Sequence, residues 1–164
     1  MNLDEKDRLM LYNQFKILQE LYPSEATSYE RFCHILESGF KKHYSDFYDW
    51  FSDELPDEVA DKVFDVLSMF RKVHDSIQNL SQRDQQNLDK TTLRFRGFDL
   101  NNEGKHYSYS VFLIEKDNRY HESKLSYYNS HTPMLTQYEQ MIDFVNGIQD
   151  RYLTLAQLQE LSNI

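Results

Sequence analysis

The sequence contains few of the residues that break helices or cross-link small folds. Its 164 residues include one cysteine, three prolines and four glycines. A single cysteine, Cys33, cannot form an internal disulfide. Scarce glycine and proline argue against a turn-rich β-sandwich and favour long helices. The chain is 40% hydrophobic and 27% charged, which is typical of a globular protein. We therefore predict an all-α, multihelical single domain over residues 1–164.

Basic residues are also in deficit. Eighteen lysines and arginines face 27 acidic residues, for a net charge of −9. Nucleic acids and anionic membranes both attract clustered basic side chains, so we expect neither as a direct partner. No apolar run approaches the roughly 20 residues of a membrane-spanning helix. The acidic start, "MNLDEKDRLM", lacks the basic and then apolar pattern of a signal peptide. We therefore expect a cytoplasmic protein.

Aromatic residues, in contrast, are abundant. Twelve tyrosines, eleven phenylalanines and one tryptophan make up 15% of the chain. Tyrosine combines an apolar ring with a polar tip and is common at protein interfaces. This composition predicts a homo-oligomer whose main partner is itself. A small-molecule ligand or another protein remains the alternative partner.

Apolar residues recur at helical spacing along most of the chain, with capping residues between the periodic segments. The third segment is short, and residues 79–92 are polar and read as a connection. Thr154 and Gln157 have the spacing of a capping box before the last segment. We predict roughly seven helices, over about 4–22, 24–38, 41–52, 56–80, 102–116, 133–147 and 155–162.

The helix at about 56–80 carries the clearest pattern in the sequence. Its apolar residues step by four and three over three heptads: Val59, Val63, Val66, Phe70, Val73, Ile77 and Leu80. Phe64 and Leu67 widen this stripe, which favours a central helix packed inside one chain over a coiled-coil dimerisation seam. His74 lies beside the stripe, where a histidine is more often a hydrogen-bonded core residue than a base.

The segment "RFRGFDLNNEGKHYSYSVFLIEK", residues 94–116, is compatible with two structures. Alternating tyrosines and serines around "NNEG" would suit a β-hairpin. Tyr107, Val111 and Ile114 also have helical spacing behind an asparagine cap. An isolated hairpin is marginally stable without a third strand. We therefore predict a helix over about 102–116, preceded by an irregular lead-in.

Most candidate chemistry has a simpler structural explanation. Residues 46–65 contain eight carboxylates, but they fill the gaps between apolar positions as a solvated face does; docking of a basic partner is the alternative. Glu103 and His106 have the spacing of one half of a di-iron site, and no second copy occurs. Cys33 and His34 point about 100° apart on a helix, which favours a buried, inert thiol. We predict no metal, no cofactor and no catalytic residue.

One polar cluster remains as a candidate ligand site. Arg94 and Arg96 form a basic pair just before a predicted helix start, where anions bind readily. The site would comprise Arg94, Arg96, Asp99, Glu103 and Tyr107. Alternatively, the two acids are partners of the arginines or helix-capping groups, and the cluster is structural.

Three functions remain open on this basis. The first is a non-enzymatic ligand-binding or regulatory module that acts as a homo-oligomer. The second is an enzyme of unfamiliar type that uses Glu103, His106 and Tyr107 as acid and base. The third is an adaptor that docks other proteins.

Three stretches, in the same order, resemble the bacterial YfbU family. They are "LYNQFKILQELYP", "GFDLNNEG" through "YSVFLIEKDNRY", and "HTPMLTQYEQMIDF". The resemblance runs nearly the full length of the chain. It implies a multihelical cytoplasmic protein, and fusion of similar domains to helix-turn-helix segments suggests a sensory or regulatory role. No catalytic residue follows from it.

Overall fold

A computed structural model of the protein describes residues 2–164. The described chain is all-helical: its only β-type pairing is a single parallel bridge between Phe98 and Asn129. Two compact units divide the chain after Glu54. The seven α-helices are α1 (Glu5–Leu21), α2 (Ala26–Ser38), α3 (Asp57–Asn79), α4 (Gln82–Gln86), α5 (Gly104–Val111), α6 (Leu135–Asn146) and α7 (Leu155–Leu161). The predicted all-α, multihelical fold with a long central helix is confirmed.

The first unit is built on the helical hairpin of α1 and α2. Asp4 caps α1 by accepting from the N–H of Asp7 at 2.8 Å. Gly39 ends α2 with a φ of +67°, a left-handed conformation that glycine adopts without strain. A small cluster of buried residues holds the unit together: Ile35, Leu36, Tyr44 and Phe47.

The predicted short helix over 41–52 is present over Lys41–Phe47 as a 3₁₀-helix, and its end lies five residues earlier than predicted. Its two buried residues, Tyr44 and Phe47, are three positions apart, which matches the three residues per turn of a 3₁₀-helix. The helical spacing of apolar residues in this segment therefore belongs to the tighter 3₁₀ geometry.

The second unit is organised around α3. The predicted stripe faces the core of the same chain, with Val63, Val66 and Val73 fully buried. Leu67 is buried as well, and Phe64 packs against the core at its edge. The prediction that the heptad stripe packs inside one chain is thus confirmed. The acidic residues between the stripe positions, such as Asp57, Asp61 and Asp65, are exposed as predicted.

The stretch predicted as a helix over 102–116 is helical and not a hairpin, although the helix begins at Gly104, two residues later than expected. The α-helical part is α5, and the chain continues as a π-helical turn over Phe112–Lys116. In the turn, the N–H of Asp117 donates to the carbonyl of Phe112, five residues earlier, at 2.9 Å. The widened turn buries Leu113 and Ile114 side by side in the core.

Several helix starts differ from the predicted ones. The polar connection at 79–92 contains α4, which Ser81 caps by accepting from the N–H of Asp84. Helix α6 begins at Leu135, two residues beyond the expected proline start at Pro133. The capping box of Thr154 and Gln157 is confirmed at the start of α7.

Candidate functional site

The lead-in to α5, residues 93–99, is an irregular segment in which buried and exposed residues alternate from 93 to 96. Leu93 and Phe95 are buried, whereas Arg94 and Arg96 are exposed. The segment is fixed against residues 128–130 by two backbone bonds of 3.2 Å, from Phe98 N–H to the Tyr128 carbonyl and from Ser130 N–H to the Phe98 carbonyl. The two arginine side chains therefore project from a backbone that is held in place.

Tyr138, a fully buried residue of α6, fixes the middle of this segment. Its hydroxyl donates to the carbonyl of Gly97 at 2.9 Å and accepts from the N–H of Arg96 at 3.1 Å. Burial raises the pKa of Tyr138, and the hydroxyl remains protonated and able to donate. The tyrosine thus satisfies two backbone groups that have no sheet partner.

Glu103 is a buried carboxylate with a structural role. Its Oε1 accepts from the N–H groups of Met134 and Leu135, at 2.7 and 2.8 Å, at the start of α6. Its Oε2 accepts from the N–H of Asp99 at 2.9 Å. Charge-assisted bonds to otherwise unpaired helix N–H groups are among the stronger hydrogen bonds in proteins. Glu103 therefore joins the start of α6 to the turn before α5.

Asp99 closes the same turn. It is 2% exposed, accepts from the N–H of Asn101 at 3.1 Å, and also accepts from the side-chain amide of Asn102. Of the two roles that the sequence left open for these acids, capping is therefore the one that they have. Within residues 2–164, no ion pair involves Arg94 or Arg96.

The acid–base group considered as an enzymatic alternative is not connected by hydrogen bonds. Within residues 2–164, no side-chain bond links Glu103, His106 and Tyr107. The ring of His106 packs against Phe98, with 5.6 Å between centroids. Burial lowers the pKa of His106, although the charge of Glu103 opposes this shift. Tyr107 is half-buried against the core. The neutral imidazole is therefore favoured, in an apolar setting.

A cleft of about 230 Å³ is lined in part by the lead-in segment. Its buried apolar lining comprises Phe70, Ile77, Leu93 and Phe95. Arg94 lines it, together with the exposed Lys90. The cleft thus contains one of the five predicted ligand-site residues.

His74 also lines this cleft and is exposed, so its predicted place in the core is wrong. Its neighbour Val73 occupies the buried position, and His74 points about 100° away from it on α3. Lys90 carried no sequence signal, because it lies in a polar connection and reaches the cleft only through the fold.

Glu122 is the acidic group of the cleft, and Arg71 neutralises it. Nε of Arg71 donates to Oε1 of Glu122 at 2.5 Å, and the guanidinium lies 4.2 Å from the centre of the Tyr120 ring. Burial raises the pKa of Glu122, but the hydrogen bond and charge of Arg71 outweigh burial and leave this pKa below its ordinary value. Glu122 is therefore ionised and paired, whereas no ion pair within residues 2–164 involves Lys90.

The described residues contain neither a grouped set of metal ligands nor a membrane-spanning helix. In residues 2–164, no three His, Cys, Asp or Glu side chains are grouped closely enough to hold a metal ion. No helix in the same range combines the length and the apolarity needed to cross a membrane.

The fold and the geometry of residues 93–138 define an all-helical protein with a polar turn fixed by buried carboxylates. The family model for the YfbU domain matches residues 1–164, which is the whole chain. The protein belongs to the YfbU family, and the resemblance noted from its sequence is confirmed.

Proposed function

We propose that the protein is a non-enzymatic ligand-binding or regulatory module of the cytoplasm that acts as a homo-oligomer. Its ligand site is the cleft lined by Lys90 and Arg94. One observation carries this proposal: two cations without carboxylate partners lie over a buried apolar floor in a protein of net charge −9. Such a site attracts an anion with an apolar part.

The size of the cleft limits the ligand. Pockets for drug-sized ligands have volumes of roughly 300–1,000 Å³, and this cleft is smaller at about 230 Å³. The ligand class that fits is a small carboxylate or phosphate monoester with one short apolar group or ring. The anionic group would contact Arg94 and Lys90, and the apolar group would contact Phe95 and Leu93.

Arg94 and Arg96 provide a matched pair of variants for testing the site. Both arginines are exposed on the same segment, but only Arg94 lines the cleft. Benzoate and phenyl phosphate serve as probes in isothermal titration calorimetry. We expect Arg94→Ala to weaken binding at least tenfold, because a charge-assisted bidentate contact is lost. Arg96→Ala should leave the affinity within about twofold, because Arg96 does not line the cleft.

Mass spectrometry of the purified protein under native conditions provides a second readout. A co-purified small anion that is lost from Arg94→Ala and kept by Arg96→Ala would support the cleft. Equal binding by both variants would exclude the cleft as the ligand site. A larger loss of affinity in Arg96→Ala than in Arg94→Ala would indicate that the ligand binds at the polar turn around Asp99.

A further inference from the structure

Helix α1 differs from the other long helices because none of its 17 residues is fully buried. On one face, Leu11 and Phe15 pack against the small core of the first unit. Leu18 is half-buried on the same face. A second set of apolar residues lies on the outside of the helix. Met10 is 50% exposed, Ile17 60% and Leu21 64%.

These three outer residues lie on one face of the helix and form its outer stripe. At 100° per residue, positions 10, 17 and 21 fall within about 40° of one another around the helix. The helix is about 25 Å long at 1.5 Å per residue, so the stripe covers more than half of its length. Exposed apolar side chains gathered on one helix face form a surface that a partner can cover.

The polar residues along the stripe are arranged for pairing with themselves. Asn13 and Gln14 lie between Met10 and Ile17 and are uncharged. Lys6 lies about one turn before Met10, and Glu20 is next to Leu21. If a second α1 packs antiparallel about the point between residues 13 and 14, Met10 faces Ile17 of the second copy. Lys6 then lies next to Glu20 of the second copy, and the twofold axis generates each contact twice.

We propose that the outer stripe of α1 is the surface through which two copies of this chain associate. The inference rests on the self-association part of the proposed function and names the surface for it. The two α1 helices form the interface, and α2 of each copy packs on the other face of its own α1, where Phe15 contacts Phe32. Leu21 covers the apolar stem of Lys6 from the second copy. A parallel arrangement would place Lys6 beside Lys6 and is disfavoured.

Sedimentation velocity of the full chain tests the surface. We expect the wild type to be a dimer at micromolar concentration. Ile17→Glu should raise the dimer dissociation constant at least a hundredfold, because it buries a carboxylate opposite the apolar Met10 of the second copy, where no cation pairs with it. Leu100→Glu is the matched control: Leu100 is also exposed, but it lies in the second unit. This control should sediment as the wild type does, and circular dichroism should show both variants folded.

Charge variants test the antiparallel register. Lys6→Glu and Glu20→Lys should each weaken the dimer several-fold, since each places two like charges together. The double variant K6E/E20K restores opposite pairs and should recover the wild-type constant.

Engineered cysteines provide a direct test of the same register. Under mild oxidation, a mixture of Met10→Cys and Ile17→Cys chains should form disulfide-linked pairs between the two variants. Neither variant alone should cross-link, because equal positions are about 10 Å apart along an antiparallel pair. Cross-linking of Met10→Cys with itself would overturn the antiparallel register.

The outcomes separate this inference from the wider proposal. A dimeric wild type whose Ile17→Glu variant is also dimeric would overturn the α1 surface while leaving self-association in place. A wild type that remains monomeric at 100-fold higher concentration would overturn both. Neither result affects ligand binding at Arg94, which is measured separately.

Discussion

At the scale of single residues, the polar cluster predicted from the sequence separates into two parts. Asp99 and Glu103 use their carboxylates to bind backbone N–H groups, and Tyr107 packs against the core. Arg94 and Arg96 are exposed, and Arg94 alone lines the cleft. The residue types correctly marked this stretch as a polar cluster in which each side chain has a physical role. Local sequence does not distinguish a polar side chain that binds backbone groups from one that is exposed to solvent.

Glu103 allows a direct test of this division. Glu103→Gln keeps the shape of the side chain but loses its charge, and its amide turns an N–H group toward backbone donors. We expect the free energy of unfolding to fall by about 2–3 kcal/mol, because hydrogen bonds to charged groups are worth about 1.5–3 kcal/mol each. Urea denaturation monitored by circular dichroism measures the loss.

The control for this variant is Glu160→Gln, at an exposed position of α7. It should change the free energy of unfolding by less than about 0.5 kcal/mol. Equal urea midpoints for the two variants would contradict the structural role of Glu103.

At the scale of elements, helix positions follow closely from apolar periodicity, and the irregular connections do not. The stripe of α3 identified the central helix because burial on one side imposes a period of 3.6 residues. The start of α6 was placed too early because its first N–H groups are capped by Glu103, 31 residues before Met134. A cap that comes from a distant part of the chain leaves no local signal.

The contact at Gly97 shows how strongly the irregular lead-in is fixed. Gly97 has a φ of +83°, and a Cβ there would lie 1.7 Å from the carbonyl oxygen of Tyr128. We expect Gly97→Ala to lower the free energy of unfolding by about 3 kcal/mol or more, since both the conformation and the space exclude a methyl group. Thermal unfolding followed by circular dichroism measures the change.

Gly104 supplies the opposite case on the same stretch. Beyond its chain neighbours and the backbone of its own helix, no atom lies within 4 Å of a Cβ built there, and the residue begins α5. Gly104→Ala should stabilise the protein by up to about 1 kcal/mol through helix propensity. If both alanine variants melted at the wild-type temperature, the close approach at Gly97 would be refuted.

At the scale of the whole molecule, the chain forms two compact units that meet in sequence at Glu54 and Leu55. Residues 52–56 between them have no regular secondary structure, and all but Leu55 are exposed. The family match spans both units. The single domain inferred from length and the absence of an evident linker stays a prediction, because composition alone does not reveal where a chain divides.

Limited proteolysis tests this division. Endoproteinase Glu-C should cut the native protein first after Glu54, because exposed segments without helical hydrogen bonds are the preferred cleavage sites. Mass spectrometry should then detect fragments 1–54 and 55–164 before any cut inside α1 to α3. Glu54→Gln should slow the first cut at least tenfold. Early cleavage within α2 instead would argue against a compact first unit.

The sequence by itself determined the helical class, the central helix and the family, because periodic burial and ordered local motifs are written along the chain. It also determined the acidic, aromatic composition on which the expected self-association rests. Only the tertiary structure decided which polar side chains bind backbone groups and which line the cleft. Asp99 and Glu103 became backbone caps, and Arg94 joined Lys90 and His74 at one cleft. These relations join residues far apart in sequence, and local spacing does not encode contacts of that kind.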